Sequence, residues 1–519
     1  MWLAPRRSRI VMAKARNTAI FEVELDVGAA DTPLRSRRLY QQLKAAILDG
    51  QLKPGLRLPS SRVSAASFGM ARTTVVGVYY QLLDEGYLVA RHGSGTYVAD
   101  RPPAPVDTAP PAAEAPDVRL NPYWFRGDVR SAFGFFEDRP VESDEFSDYP
   151  EGHDFRPGLV DLEHFPFDVL RRVSAQKLRA FERAPFNYGH PQGNPDLRAA
   201  IAMHLSVMRA IACRGDDLIV TSGAQQAFDL LARILVGPGR TVVAVEDPGY
   251  APTRIPFAAA GARLCPIEVD AEGMRIDLLP ADVDIICVSP SHQFPLGSTL
   301  SRERRAALIR FAREKGAIVI EDDYDGEFRA DSGPIKALKT ADEHDVVFYV
   351  GTFSKSTLPN IRLGFILPPR WALQAALTAK ICIDGPCSMP AQAAMCGFLQ
   401  GGHLTRHIGK MRRIYGERRQ LVLQLLREDF ARWLEPIESA YGMHVTAISN
   451  GTIDMDAVAR RLLGRNIRIR NLRRYYFGEE AKTGLVFGFG AIDSDAIRRA
   501  MGIIRETMED YQAPVRTPR

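Results

Sequence analysis

Between Asp100 and Asp117 the chain reads DRPPAPVDTAPPAAEAPD. Proline removes a backbone donor and fixes φ, and alanine offers almost no apolar face, so such a tract builds neither a strand ladder nor a packed helix. It predicts an extended, semi-stiff linker over residues 100–118 and rules out one continuous core. Whatever folds before it folds apart from whatever follows. A length of 519 residues suits that division, being enough for roughly two to four domains. With 46% hydrophobic and 25% charged residues the chain reads as globular. No apolar run approaches the roughly 20 residues of a membrane span. The opening MWLAPRRSRIVMAKAR is basic but lacks the apolar stretch of a secretory leader, and residues 1–30 carry no further pattern. A cytoplasmic protein with no membrane partner is expected. The six cysteines are scattered, with no CxxC pair and no histidine cluster at ligand spacing, so neither a disulfide framework nor a metal site is expected.

Charge is uneven along the chain. Residues 1–100 hold 14 Lys/Arg against 8 Asp/Glu, a balance of +6, which leaves −1 for the rest. A basic first segment asks for an anionic partner. In it, LYQQLKAAILDG sets Leu39, Leu43, Ala46 and Ile47 at helical spacing and stops on Gly50. PSSRVSAASFGM predicts a short second helix entered through Ser60 or Ser61 and ended by Gly69. ARTTVVGVYYQLLDEG predicts a third helix that starts at the hydroxyls of Thr73 and Thr74, buries Val75, Val78, Tyr79 and Leu82, and stops at Gly86. YLVARHGSGTYVA alternates around a glycine-rich tip, the pattern of a β-hairpin. Three helices and a hairpin in this order predict a winged helix-turn-helix over 34–99. Such a domain pushes the start of its third helix into the major groove and lays the hairpin on a neighbouring groove or backbone. Arg72, Thr73 and Thr74 would lead, Arg62 would assist from the second helix, and Arg91, His92 and Gly93 would form the wing.

The long second part alternates continuous apolar runs with amphipathic helices: DLIVTSG then AQQAFDLLARIL, TVVAVEDPGY, IICVSPSHQFPLG, RERRAALIRFAREKG then AIVIEDDYDGEF, and VVFYVGTFSK. Strands apolar on both faces predict an α/β domain built on a mostly parallel sheet covered from both sides. Ligands of such sheets collect at the carboxyl ends of the strands. At those ends the chain places Gly223, Ala224 and Gln225 at a helix start suited to phosphate. Tyr250 offers an aromatic face, Asp322 an anion for a protonated ring nitrogen, and Tyr324 a phenol for a ring oxygen. Lys355 offers an amine, with Thr352, Ser354 and Arg362 around it to hold a phosphate. One lysine on a serine-rich turn is ordinarily a solvated charge; in this ordered company it predicts pyridoxal 5′-phosphate held as an internal aldimine on Lys355.

Two resemblances follow from these same residues. LYQQLKAAILDGQLKPGLRLPSSR, RTTVVGVYYQLLDEGYL and GSGTYV resemble the GntR-type winged-helix DNA-binding domain. The order of strand ends resembles type I fold aminotransferases over about residues 154–509. That resemblance implies a large mostly parallel sheet domain, about 187–385, and a smaller α+β domain from the remainder. NYGHPQGNPDLRAAI is similar to an early aminotransferase segment in which Tyr188 would reach the phosphate of a partner subunit, which implies a homodimer with shared sites. DFRPGLVDLEHFPFDVLRR resembles the MocR subgroup of GntR regulators, which join the two folds through a linker.

The subgroup implies a transcription regulator that binds operator DNA and senses an amine or amino-acid effector by aldimine exchange at Lys355. Its relatives regulate γ-aminobutyrate, taurine or vitamin B6 genes. An active aminotransferase with an accessory DNA-binding domain is the rival reading, and a DNA-binding protein whose second half only dimerises is another. Three departures from the aminotransferase pattern bear on the choice. Phe294 stands where many such enzymes place an asparagine against the ring oxygen, leaving His292, Gln293 or Tyr324 for that contact. Val486 stands about where they carry the arginine that grips the substrate carboxylate, so vestigial transamination at most is expected. Pro252 stands where a γ-aminobutyrate-sensing relative carries arginine, so the effector is expected to differ.

Overall fold

The computed structural model describes residues 33–91, 95–100, 121–129, 152–182, 188–328, 336–439, 442–477 and 481–512. The chain separates into two compact units, Met1–Pro116 and Asp117–Arg519. The predicted linker lies outside the described residues, apart from Asp100.

In the first unit the helices Pro33–Leu48, Ser61–Phe68 and Arg72–Asp84 precede antiparallel strands Leu88–Arg91 and Gly95–Val98. The predicted apolar positions Leu39, Leu43, Ile47, Val75, Val78 and Leu82 meet in one core with Leu88 and Val98. Ser60 caps the second helix, accepting from Val63 N–H at 3.4 Å. Gly69 closes that helix at φ 57°, a left-handed conformation that side chains resist. The third helix begins one residue earlier than the hydroxyl pattern predicts: Arg72 is its first residue, and Ala71 precedes it with no side-chain cap. Thr73 and Thr74 therefore sit in the first turn rather than capping it, and the Thr74 N–H donates to Ala71 O at 3.1 Å.

The second unit is built on an eight-stranded sheet. Its strand order is Ile219–Thr221, Gly364–Leu367, Val347–Thr352, Ile318–Asp323, Ile285–Val288, Val242–Asp247, Arg263–Asp270, Gly273–Met274. The five central strands run parallel, while Gly364–Leu367 is antiparallel to both its neighbours. Successive side chains of a strand point to opposite faces. Val243, Val245, Ile285, Cys287 and Ile320 accordingly pack on one side with Phe228 and Leu231 of the helix Ala224–Leu235. Val242, Ala244, Ile286, Val288 and Val319 pack on the other with Leu308 and Ala312 of the helix Arg302–Lys315. Two covered faces explain why these strands read as unbroken apolar runs. A smaller α+β region follows. Antiparallel strands Leu434–Pro436, His444–Ser449, Gly484–Gly488 and Arg470–Asn471 pack with the helices His403–Asp429 and Ser494–Gln512 around Trp433, Phe487 and Met508. This is the predicted fold class. No described helix is long and apolar enough to cross a membrane.

Candidate functional site

The carboxyl ends of the central strands open into a cavity of about 460 Å³ lined by Tyr250, Phe294, Asp322, Tyr324, Lys355 and Arg362, with Ala224, Gln225, Thr352 and Ser354 also on its wall. Tyr250, Asp322, Tyr324 and Lys355 arrive from strand ends for the same reason: the apolar run anchors the strand, and the first polar residues at its end emerge at the edge of the sheet.

Lys355 follows the strand Val347–Thr352, and its Nζ donates to Gly158 O at 2.7 Å. Gly158 sits at φ +87°, and a Cβ there would stand 2.7 Å from that nitrogen, so the approach needs glycine. Desolvation lowers the Lys355 pKa, opposed by the charges of Asp325 and Asp322. Such an amine reaches its neutral, nucleophilic form more readily than a lysine in water. Asp322 is buried and receives the Thr253 hydroxyl at 3.5 Å. Its carboxyl is pushed up to about 7, first by desolvation and then by the negative charges of Asp323 and Asp325. A carboxylate placed at such cost is stabilised by any cation brought against it. Desolvation, reinforced by Asp322, likewise raises the Tyr250 phenol to about 12, so it stays neutral. Phe294 meets the rings of Tyr250 at 5.6 Å and Tyr475 at 4.9 Å edge-to-face and walls the cavity with them.

At the phosphate end, Gly223 takes φ +81° as it enters the helix Ala224–Leu235, and no side chain caps that helix. A Cβ on Gly223 would lie 3.3 Å from the Arg362 guanidinium, whose NH2 donates to Ser222 O at 3.1 Å. Thr352 accepts from Ser354 N–H at 3.2 Å and donates to its hydroxyl at 3.0 Å. Uncapped N–H groups, a guanidinium and two hydroxyls make a cup for a phosphate dianion.

Tyr188 is not on the cavity wall; it is 93% exposed. In the first unit Arg62, Arg72 and Thr73 are exposed and Thr74 is partly buried. Arg72 Nε reaches Ser61 Oγ at 3.4 Å, which ties the second helix to the start of the third. Arg91 lies over the Tyr97 ring at 4.7 Å. His92 and Gly93 lie outside the described residues.

The sequence reading missed Arg156, Arg470 and Arg474, which also line the cavity. Arg470 and Arg474 belong to RIRNLRRYYF, a basic run that resembles an ordinary solvated surface; only the fold turns it inward. Val486, by contrast, is fully buried, packed with Phe294 and Leu472 and opposite Arg470 in the ladder. It is not on the cavity wall, and the absence of an arginine at that position does not deprive the cavity of guanidinium groups.

Three buried carboxyls make a testable pH signature. Desolvation is the leading cause in each, raising Glu246 to about 8 and Glu321 and Asp322 to about 7. A carboxyl whose folded pKa exceeds its unfolded value stabilises the fold below that unfolded value and loses this contribution as pH rises through the folded one. His407 and His444, lowered by desolvation to about 4 and about 3, act in the opposite window, costing stability as pH falls below 6.5. The cofactor-free protein should therefore lose stability between about pH 6.5 and pH 9. Urea midpoints across that range measure it; a flat profile would show that these carboxyls are not held protonated.

A winged-helix unit joined to an α/β unit of aminotransferase architecture, with a lysine and a phosphate cup at its strand ends, defines a class of two-headed regulators. Residues 35–98 match the bacterial regulatory proteins of the gntR family, and residues 161–486 match aminotransferase class I and II. The probable rhizopine catabolism regulatory protein MocR of Rhizobium meliloti is 33% identical over 480 residues, covering 92% of this chain and 94% of that protein. The pyridoxine biosynthesis transcriptional regulator PdxR of Corynebacterium glutamicum is 30% identical, covering 91% and 95%. Among solved structures, kynurenine aminotransferase of Pyrococcus horikoshii is 25% identical with a TM-score of 0.66, covering 75% of this chain and 96% of that one. The chain belongs to the MocR-type GntR regulators: a DNA-binding transcriptional regulator with an aminotransferase-like domain. Its cofactor is pyridoxal 5′-phosphate, and the residues fit that group: the cup at Gly223 and Arg362, the Tyr250 ring on the cavity wall, the buried Asp322 and the desolvated Lys355.

Proposed function

We propose that this regulator senses an amine or amino-acid effector by amine exchange at Lys355. The supporting observation is the Lys355 amine itself, desolvated inside the cavity and facing Asp322 and Asp325. Pyridoxal phosphate supplies, when bound, an aldehyde carbon that condenses reversibly with primary amines. Lys355 Nζ would be the resident amine and the effector its competitor. Asp322 would hold a ring nitrogen protonated, Tyr250 would cover the ring face, and Gly223, Ala224, Gln225, Thr352, Ser354 and Arg362 would grip the phosphate. Tyr324 would donate to the ring oxygen. Arg470 and Arg474 favour an effector that carries a carboxylate beside its amine, because a guanidinium binds that group bidentately. The free Lys355 ammonium and the seated effector would then bias one arrangement of the protein over another.

Exposed Tyr188 would reach the phosphate of a second copy, giving a homodimer on an operator of two half-sites. The test is spectroscopic and functional together. A purified, cofactor-loaded sample should show visible absorption that shifts with amines, operator affinity should change with the same amines, and keto acid should not accumulate over many turnovers. Sustained turnover at metabolic rates would move the assignment to the enzyme reading.

On the DNA side, Arg72, the first residue of the third helix, would read a base edge. Arg72→Ala is expected to weaken specific binding by about 1–3 kcal/mol and to relax selectivity at one position. Salt-controlled titration against specific and scrambled duplexes measures both. Unchanged selectivity would confine Arg72 to the surface charge.

A further inference from the structure

Behind the cavity wall lies a buried group that this reading does not use. His292 is 3% exposed, and its Nδ1 lies 2.8 Å from Asp325 Oδ2 and 2.9 Å from the Tyr324 hydroxyl. Its Nε2 is buried and has no hydrogen-bond partner among the described residues. The ring fits against Gly442, where a Cβ would fall 1.9 Å from it. A carboxylate only accepts, so the hydrogen between His292 and Asp325 belongs to Nδ1. Nε2 is then the bare nitrogen, which suits its empty surroundings, since a buried N–H without an acceptor costs more than a bare lone pair. The Nδ1 hydrogen is shared with the Tyr324 oxygen, which must therefore accept. The phenol's own hydrogen is left to point away from His292, into the cavity that Tyr324 lines.

We propose that His292, held by Asp325, is a positioning residue that makes Tyr324 a hydrogen-bond donor into the cofactor cavity, a task that Phe294 beside it cannot share because it carries no polar atom. The inference rests on the assignment of pyridoxal phosphate and Lys355 to this cavity. Its consequence is electrostatic. A phenol locked as donor stabilises a negative oxygen in the cavity and so lowers the pH at which the cofactor joined to Lys355 loses its proton. Among the described residues the other groups that face this pair are Asp322 from the strand Ile318–Asp323, Glu246 from the strand Val242–Asp247, Lys355, the ion pair of Asp323 with Arg209, and His444 from the strand His444–Ser449, whose ring centroid lies 4.9 Å from that of His292.

The experiment is a pH titration of the visible absorption band in full-length, cofactor-loaded protein. His292→Leu removes the donor, while His292→Asn restores an N–H close to the place of Nδ1. The midpoint should rise by about one pH unit in His292→Leu, as expected for loss of one hydrogen bond to a charged oxygen. It should return to within a few tenths of a unit in His292→Asn. In a Tyr324→Phe background His292→Leu should shift nothing further. An unchanged midpoint in His292→Leu, or an equal shift with and without the Tyr324 hydroxyl, overturns the proposal. Should His292→Leu not fold, His292→Asn alone decides: a midpoint displaced as far as that of Tyr324→Phe overturns it, and a near-native one supports it. A wild-type protein with no visible band overturns the Lys355 assignment beneath it, an outcome distinct from a band that titrates without regard to His292.

Discussion

Lys355→Ala should abolish the effector-dependent change in operator affinity while leaving basal DNA binding and folding intact. One side chain at a strand end contributes little to cores made of whole strands and helices, and Lys355 belongs to none of the buried apolar clusters. Among the described residues its side chain hydrogen-bonds only to Gly158 O, at the cavity wall. The winged-helix residues belong to a separate compact unit. What the variant loses is the amine that an effector displaces, and with it any difference in free energy between the occupied and unoccupied states that could bias the protein. Operator affinity of wild type and variant, each with and without cofactor and candidate amines, measures the effect. Wild-type behaviour in the variant would mean that Lys355 is not the sensing group.

Arg209→Met is expected to destabilise the larger unit by about 3–5 kcal/mol. Arg209 ends the helix Pro195–Arg209, and its Nε lies 2.6 Å from Asp323 Oδ2, both side chains 3% exposed. Its NH2 donates to Ser291 Oγ at 2.7 Å, and the Tyr349 hydroxyl donates to Asp323 from the neighbouring strand. Removing the guanidinium leaves the Asp323 carboxylate buried beside Glu321 and Asp322 with no cation against it, and desolvation of an unpaired charge is among the largest single costs in a protein interior. The double substitution Arg209→Met with Asp323→Asn should recover most of the loss, because no buried charge then remains. Urea unfolding of the four proteins of this cycle gives the coupling. A single variant within about 1 kcal/mol of wild type would show that water or movement compensates Asp323.

Much of the site was legible in one dimension because it follows from strand ends. Strands covered on both faces must read as apolar runs, so their last apolar residue marks where the chain reaches the sheet edge. Tyr250, Asp322, Tyr324 and Lys355 all stand at the ends of such runs, and the structure brings them to one cavity, with Arg362 entering from the turn before the next strand. The winged helix was legible because Leu39, Leu43, Val75, Val78 and Leu82 repeat at helical spacing between glycine stops.

Other features depended on contacts between residues far apart in sequence. Arg470 and Arg474 sit in a basic run that periodicity cannot tell from a solvated surface; ladder partners share a face of the sheet, so the pairing of Arg470 with Val486 turns both toward the Phe294 side, where the arginine lines the cavity and Val486 packs beneath it. The same holds for Gly158, more than 190 residues from Lys355 yet closing on its amine, and for Arg156 beside it on the cavity wall. His292, Tyr324 and Asp325 stand in two strand-end loops, and whether a histidine there is a solvated base or a buried donor is decided by Gly442 from a third segment packing against its ring. Local sequence determined which elements form and which polar residues stand at their ends, because propensity and the period of burial act over a few residues. Tertiary structure alone decided which of those groups lose their water and which face one another, because desolvation and hydrogen-bond pairing depend on neighbours that the chain brings together only by folding.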